Sequence, residues 1–130
     1  MRKMYQKILI IDDERIVGRA MRRVLESQGY EVDIALNGEE GVRLAGEKVF
    51  GMAFVDLILP GIDGLQACRE IKKNSPPTRL VLMSGYVDKL YETKNIFQKI
   101  ESSALFVEKP FGGDEIINIA NGFFERREGC

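Results

Sequence analysis

Five short aliphatic runs recur along the chain with amphipathic segments between them: KILII (7–11), EVDIA (31–35), GMAFV (51–55), RLVLM (79–83) and ALFV (104–107). The third and fourth are almost continuously apolar, the pattern of strands buried on both faces rather than strands with one wet side. Strand and helix alternating this regularly predict right-handed crossovers, a parallel sheet and helices on both of its faces, an α/β doubly wound fold. A length of 130 residues, 45% of them hydrophobic, suits one core, so a single domain over 1–130 is expected, with its core at about 7–127.

Ile16, Val17, Ala20, Met21, Val24 and Leu25 lie at helical spacing and predict a first helix with one apolar face. Asn37 with Glu40, and Asp63 with Gln66, have the N-cap to N3 separation of a capping box, placing the next two helix starts near 38 and 64. NSPPTR (74–79) ends the third helix, a fourth is predicted over about 88–100, and a fifth from near Asp114 to about 126. Gly122 lies inside that fifth helix at a cost of about 1 kcal/mol relative to alanine. The fifth helix is apolar over more than one face, and Ile117 and Phe124 are expected to be a surplus that meets a partner.

Composition excludes several functions. A net charge of −1 from 19 basic and 20 acidic residues gives no broad basic field for nucleic acid or an anionic membrane. The apolar runs are too short for a signal peptide or a membrane span, so a cytoplasmic protein is expected. Cys68 and Cys130 have neither zinc-site spacing nor a disulfide framework; Cys68 reads as a small helix hydrophobe and Cys130 as part of a loose tail. Histidine is absent, which removes imidazole bases and ligands and any phosphohistidine of the chain's own.

In a parallel sheet all strands point their carboxyl ends to one edge, where ligands bind. The residues just past the strands are Asp12 and Asp13, Leu36 and Asn37, Asp56, Ser84 and Lys109. Two carboxylates about 4 Å apart repel by about 4 kcal/mol at an effective dielectric near 20, so an apolar strand ending in Asp12 and Asp13 calls for something that offsets the charge. If the first and third strands are neighbours about 4.8 Å apart, Asp12, Asp13 and Asp56 share one pocket. Such an all-oxygen site suits a hard cation, Mg²⁺ or in its place Mn²⁺. Lys109, about two strand spacings or roughly 10 Å from the third strand, has a stem long enough to reach Asp56.

These residue types match phosphoryl transfer, in which positioning and charge neutralisation do most of the catalytic work. Asp56 is the candidate nucleophile, with hydrogen bonds from the Ser84 hydroxyl and the backbone N–H groups of Leu57 and Gly85. Singly, each has a plainer reading: a solvated helix start for the acidic pair, a solvated lysine, a turn serine. Their convergence on one edge favours the joint reading.

The stretches DD at 12–13, DLILPGIDGL at 56–65, MSGY at 83–86 and KPF at 109–111, in this order, resemble the receiver domain of bacterial two-component response regulators over about residues 7 to 127. The resemblance implies a flavodoxin-like strand order of 2-1-3-4-5. It implies that Asp56 accepts a phosphoryl group from a sensor histidine kinase, a phosphotransfer protein or a small donor. Asp12, Asp13, Asp56 and the backbone carbonyl of Ile58 would ligate the metal. Ser84 would be the switch hydroxyl, Phe106 the aromatic that follows it, and the Lys109–Pro110 bond cis. The face built by the fourth helix, fifth strand and fifth helix would then signal to an output domain or downstream protein, and a homodimer is compatible with this. Such a domain promotes only its own phosphorylation and dephosphorylation.

The chain departs from the family pattern in places. Ser84 and Lys109 are 25 positions apart, a longer interval than usual, and ESSA (101–104) replaces a small pair common before the fifth strand. Phe106 stands where tyrosine is common. Ile58 and Tyr86 are bulky residues flanking the pocket and are expected to hinder the hydrolytic water and prolong the phosphoryl group. Two rivals are an aspartate-nucleophile phosphohydrolase of the haloacid dehalogenase type, which usually carries D-x-D after its first strand, and a nucleotide-binding flavodoxin-like module. Neither G-x-G-x-x-G nor G-x-x-x-x-G-K-[ST] occurs here.

Overall fold

Each aliphatic run becomes a strand: β1 (Lys7–Ile11), β2 (Glu31–Ala35), β3 (Met52–Asp56), β4 (Arg79–Ser84) and β5 (Leu105–Glu108). The amphipathic segments become α1 (Arg15–Glu26), α2 (Gly38–Glu47), α3 (Gly64–Asn74), α4 (Leu90–Ile100) and α5 (Gly113–Glu128). The computed structural model describes residues 6–85 and 90–128. Tyr86, Cys130 and positions 88 and 89 of the predicted fourth helix lie outside the described residues. Both predicted caps form: the Asn37 side chain accepts from the Glu40 N–H and the Asp63 side chain from the Gln66 N–H, each at 2.8 Å. A cap of this kind contributes about 1 kcal/mol, so the helix starts next to the sheet edge are locally fixed. Helix α5 runs straight through Gly122.

The five strands form one sheet in the order β2-β1-β3-β4-β5, every pair parallel. Strand alternation divides the core in two. Ile8, Ile10, Phe54, Val81 and Met83 face Met21 and Leu25 of α1 and Ile116, Ala120 and Phe123 of α5. Leu9, Ile11, Val55, Leu80 and Leu82 face Ala45 of α2, Ala67, Cys68 and Ile71 of α3, and Phe97 of α4. Cys68 is thus a core hydrophobe. With a layer on each side, β3 is buried at all of its positions, and each large aliphatic side chain there contributes about 1.5–3 kcal/mol. No helix among the described residues is long and apolar enough to cross a membrane.

Two expectations about surfaces are corrected. In α1 the buried residues are Gly18, Met21 and Leu25, whereas Ile16 is 83% exposed and Ala20 is exposed as well. Gly18 lets the helix close on Ile34, where a Cβ would stand 3.3 Å from Ile34 Cγ2. The contact line therefore follows 18, 21 and 25, and Ile16 is turned away. In α5, Phe124 is core rather than surplus: its ring packs 5.2 Å from Tyr30 and 5.0 Å from Phe123, and the Tyr30 hydroxyl is hydrogen-bonded to Asn121 Oδ1. Ile117 is half-buried.

The unusual ESSA segment also has a structural role. Glu101 is buried, accepts the Leu80 N–H at 3.1 Å, and lies 2.7 Å from Lys72 Nζ and 3.4 Å from Arg79 Nε. It ties α3, β4 and the segment before β5 together with charge-assisted contacts, at the amino-terminal end of β4.

Candidate functional site

Strand register brings the acidic residues together. Ile11 lies between Ala35 on one side and Val55 on the other, so the next residue of the chain, Asp12, stands beside the last residue of β3, Asp56. Asp12 is held there by its own N–H, which donates to the Ala35 carbonyl at 3.1 Å, and by its Oδ1, which accepts the Glu14 N–H at 2.9 Å. One carboxylate oxygen each of Asp12, Asp13 and Asp56 lies within 4.8 Å of the others. Asp12 and Asp56 are buried and Asp13 is exposed, so the cluster opens to water on one side.

Lys109 closes the pocket from the far strand. Its N–H donates to the Ser84 carbonyl at 2.8 Å, which extends the β4–β5 pairing, and the Lys109–Pro110 peptide bond is cis. The ammonium lies 2.7 Å from Asp12 Oδ2, 3.0 Å from Glu14 Oε1 and 3.3 Å from Asp56 Oδ2. The reach to Asp56 is as expected, but the two shorter contacts go to Asp12 and Glu14.

The titration behaviour follows from this geometry. Burial is the main cause that pushes the Asp56 carboxyl up to about 6 from 3.8; the Lys109 charge opposes it, and Asp12 and Asp13 add to it. For Lys109, burial works to lower the pKa, yet hydrogen bonds to Asp12 and Glu14 and the charge of Asp56 outweigh it and hold the ammonium above its ordinary range. Three carboxylates, Asp12, Glu14 and Asp56, thus surround one ammonium, and a fourth, Asp13, lies beside Asp12 and Asp56. That excess negative charge and the all-oxygen donor set fit a hard divalent cation, with Asp12, Asp13 and Asp56 as the residues able to hold it.

Ser84 is buried at the end of β4, in register with Glu108. Phe106 is half-buried two residues before Glu108; its ring meets Phe97 edge-on at 5.1 Å, and the Lys94 ammonium lies 5.4 Å from its centroid. Ile58, two residues past Asp56, is 54% exposed, and Gly85 is exposed just past β4. Leu57 is a correction: its N–H donates to the Met83 carbonyl at 2.8 Å, because the β3–β4 ladder continues one residue beyond Asp56. That donor belongs to the sheet and leaves the expected phosphate-binding set.

Two features of the site lie outside the residues predicted from the sequence. Glu14 is not among the site residues predicted from the sequence, although a third consecutive acidic residue after Asp12 and Asp13 was the signal available. Beside it, an apolar groove of about 660 Å³ runs between α1 and the segment after β5, lined by Ile16, Val17, Val24, Phe111 and Ile116 next to Glu14 and Lys109.

Fold and pocket together define an α/β domain with an acidic, lysine-paired site at the carboxyl edge of its parallel sheet. The response regulator receiver domain family matches residues 8–121, and the chain belongs to it. Phosphorylation on aspartate and Mg²⁺ binding are general properties of that family, whose members partner with histidine kinases and output domains. Transcriptional regulatory protein ResD of Bacillus subtilis is 33% identical over 113 residues, covering 85% of this chain and 45% of the relative. The positive transcription regulator BvgA of Bordetella pertussis is 31% identical over 118 residues, covering 90% and 55%. The chain therefore spans about half the length of these curated relatives. Among solved structures, a CheY-like receiver domain protein from Methanospirillum hungatei has a TM-score of 0.88 at 24% identity, covering 96% of this chain and 98% of that one. A response regulator from Burkholderia pseudomallei, solved with a phosphorylated aspartic acid, calcium ion and citrate, has a TM-score of 0.80 at 26% identity, covering 95% and 71%. The family match does not support the phosphohydrolase alternative. Here the acidic pair is adjacent and the third carboxylate comes from β3, not from a D-x-D after β1.

Proposed function

We propose that Asp56 is the phosphoryl acceptor of this receiver, and that Asp12, Asp13 and Asp56, with the backbone carbonyl of Ile58, hold Mg²⁺ or in its place Mn²⁺. The observation that carries this is the placement of Asp56: a buried carboxylate at the end of a fully buried strand, with two more carboxylates and an ammonium within reach. In the reaction an Asp56 oxygen attacks phosphorus, the bond from phosphorus to the donor breaks, and an acyl phosphate remains on the chain. The cation, when bound, supplies charge neutralisation at the phosphoryl oxygens and among the carboxylates. Lys109 offers N–H donors to the same oxygens, and Ser84 and the Gly85 N–H offer hydrogen bonds. The Burkholderia regulator with its phosphorylated aspartic acid and calcium ion supports this reading by likeness.

With no histidine of its own, the chain takes its phosphoryl group from a sensor histidine kinase, a phosphotransfer protein or a small acyl phosphate. It acts as a signalling domain, not as an enzyme on other substrates, and it works in the cytoplasm. Once Asp56 carries phosphate, Ser84 turns to it and Phe106 follows, leaving the Lys94 ammonium. The surface of α4, β5 and α5 then changes its affinity for an output domain or downstream protein, or for a second copy of the chain. Neither nucleic acid nor membrane is bound by this chain itself.

The test is incubation with acetyl phosphate and Mg²⁺ followed by intact mass. The wild-type chain is expected to gain one phosphoryl group and Asp56→Asn none; equal labelling removes Asp56 from its role. Catalytic hydrolysis of a phosphate monoester would instead favour an enzyme.

The donor protein docks over the groove beside Lys109, where Ile16 is 83% exposed and adjoins the pocket through Glu14. An Ile16→Asp chain is expected to accept phosphate from a phosphorylated histidine kinase at least about tenfold more slowly, the loss typical of removing a buried anchor at an interface. Its labelling by acetyl phosphate, which needs no docking, stays at the wild-type rate. Equal slowing with both donors would place the defect in the pocket rather than the groove.

A further inference from the structure

Glu14 does something its position in the helix does not explain. It is the N-cap of α1, with extended backbone (φ −83°, ψ 102°), a position where a short side chain ordinarily accepts a hydrogen bond from first-turn N–H groups. Its side chain makes no cap hydrogen bond. The carboxylate turns instead to Lys109 Nζ at 3.0 Å.

That contact occupies one of the lysine's protons. Of the three N–H groups of the ammonium, one is hydrogen-bonded to Asp12 at 2.7 Å and one to Glu14 at 3.0 Å, while Asp56 pairs with the charge at 3.3 Å. For the ammonium to turn fully toward a phosphoryl group on Asp56, one of these contacts is given up. Asp12 is fully buried, and freeing it would strand a charge away from water. Asp56 itself becomes the phosphorylated group. The Glu14 side chain is 62% exposed and exchanges a lysine for water at little cost, so Glu14 is the partner that yields.

We propose that Glu14 is a positioning residue for transfer to Asp56: it parks the Lys109 ammonium at the mouth of the pocket, and the transfer goes forward as that contact is given up. The inference rests on Asp56 being the acceptor. With acetyl phosphate, an Asp56 oxygen forms its bond to phosphorus as the bond from phosphorus to the acetate oxygen breaks, and acetate leaves with the electron pair. Lys109 moves one N–H from Glu14 to a phosphoryl oxygen and keeps its proton, while the Glu14 carboxylate ends hydrated.

Removing the restraint should therefore speed the reaction. At saturating Mg²⁺ and sub-saturating acetyl phosphate, with uptake followed by intact mass, Glu14→Gln is expected to be about two- to fivefold faster than wild type, the range for releasing one exposed ion pair. Glu14→Asp keeps the charge but is one methylene shorter, so it falls short of Lys109 while fitting the cap of α1. It too is expected to be faster, and to melt at a higher temperature than wild type. Acceleration in both variants supports the proposal. Acceleration in Glu14→Gln alone assigns the effect to bare charge and overturns it, as does any pattern in which neither is faster. A wild-type chain that takes up no phosphoryl group removes the acceptor reading, and this inference with it; labelled wild type with unmoved variants removes the inference alone.

Discussion

Asp56→Asn is expected to be more stable than the wild-type chain at pH 7 in EDTA, by on the order of 2–3 kcal/mol in urea unfolding. The carboxyl is held up to about 6 in the folded chain against 3.8 when free, because burial disfavours its charge. Between those two values the unfolded chain gives up a proton that the folded chain keeps, so wild-type stability falls as pH rises through this window and levels off above it. About two pKa units at 1.36 kcal/mol each give the size of the effect. Asparagine has no such proton, and its advantage should vanish below about pH 4, where the wild-type carboxyl is neutral in both states. Added Mg²⁺ should narrow the gap at pH 7, since the cation offsets repulsion that only the wild type suffers in full. An asparagine variant no more stable than wild type at pH 7 would mean that the pocket does not penalise the Asp56 charge. The proposed acceptor is thus a place where stability is given up for chemistry.

Gly64→Ala is expected to cost about 3 kcal/mol and to slow labelling of Asp56 at least about tenfold, as sub-ångström misplacement of a reacting group does. Gly64 opens α3 and donates its N–H to the Leu57 carbonyl at 2.9 Å. A Cβ there would stand 2.2 Å from the Asp56 carbonyl oxygen and 2.7 Å from Leu57 Cα. Both are backbone atoms at the end of a buried strand paired on both sides, so neither can move aside cheaply. Gly46→Ala in α2 is the control: nothing lies within 4 Å of its Cβ, and it should gain up to about 1 kcal/mol from helix propensity. Urea midpoints of both variants decide the matter. A Gly64→Ala chain as stable as wild type would show that α3 is not pressed against the acceptor's backbone.

Much of this was legible in the sequence because it depends on local rules. The aliphatic runs mark each strand to within about a residue, since a strand buried on both faces leaves nothing polar to confuse the pattern. Asn37 and Asp63 announce their helices because capping is a three-residue interaction. Asp12, Asp13, Asp56 and Lys109 converge because a parallel sheet brings every strand end to one edge.

What escaped depends on distances no local rule sets. The direction of the Glu14 carboxylate is decided by a lysine almost a hundred positions away. The Leu57 N–H is lost to the pocket because β4 offers the Met83 carbonyl one residue past the end of β3. Ile16 belongs to an apolar stripe wider than the surface it packs on, and only the fit of Gly18 against Ile34 says which part of the stripe is used. Phe124 is core because Tyr30, from the other end of the chain, covers it.

Strand β3 is held by neighbours on both edges and by a layer of side chains on both faces. The aspartate at its tip is consequently the stationary partner of the encounter, an anvil and not a hammer. In the proposed reaction the parts that travel are the rim: the lysine that changes its grip, the serine, the aromatic behind it and the donor that arrives from outside. Temperature and viscosity should thus act on the rate through those outer pieces, while the receiving oxygen waits in the same spot before and after.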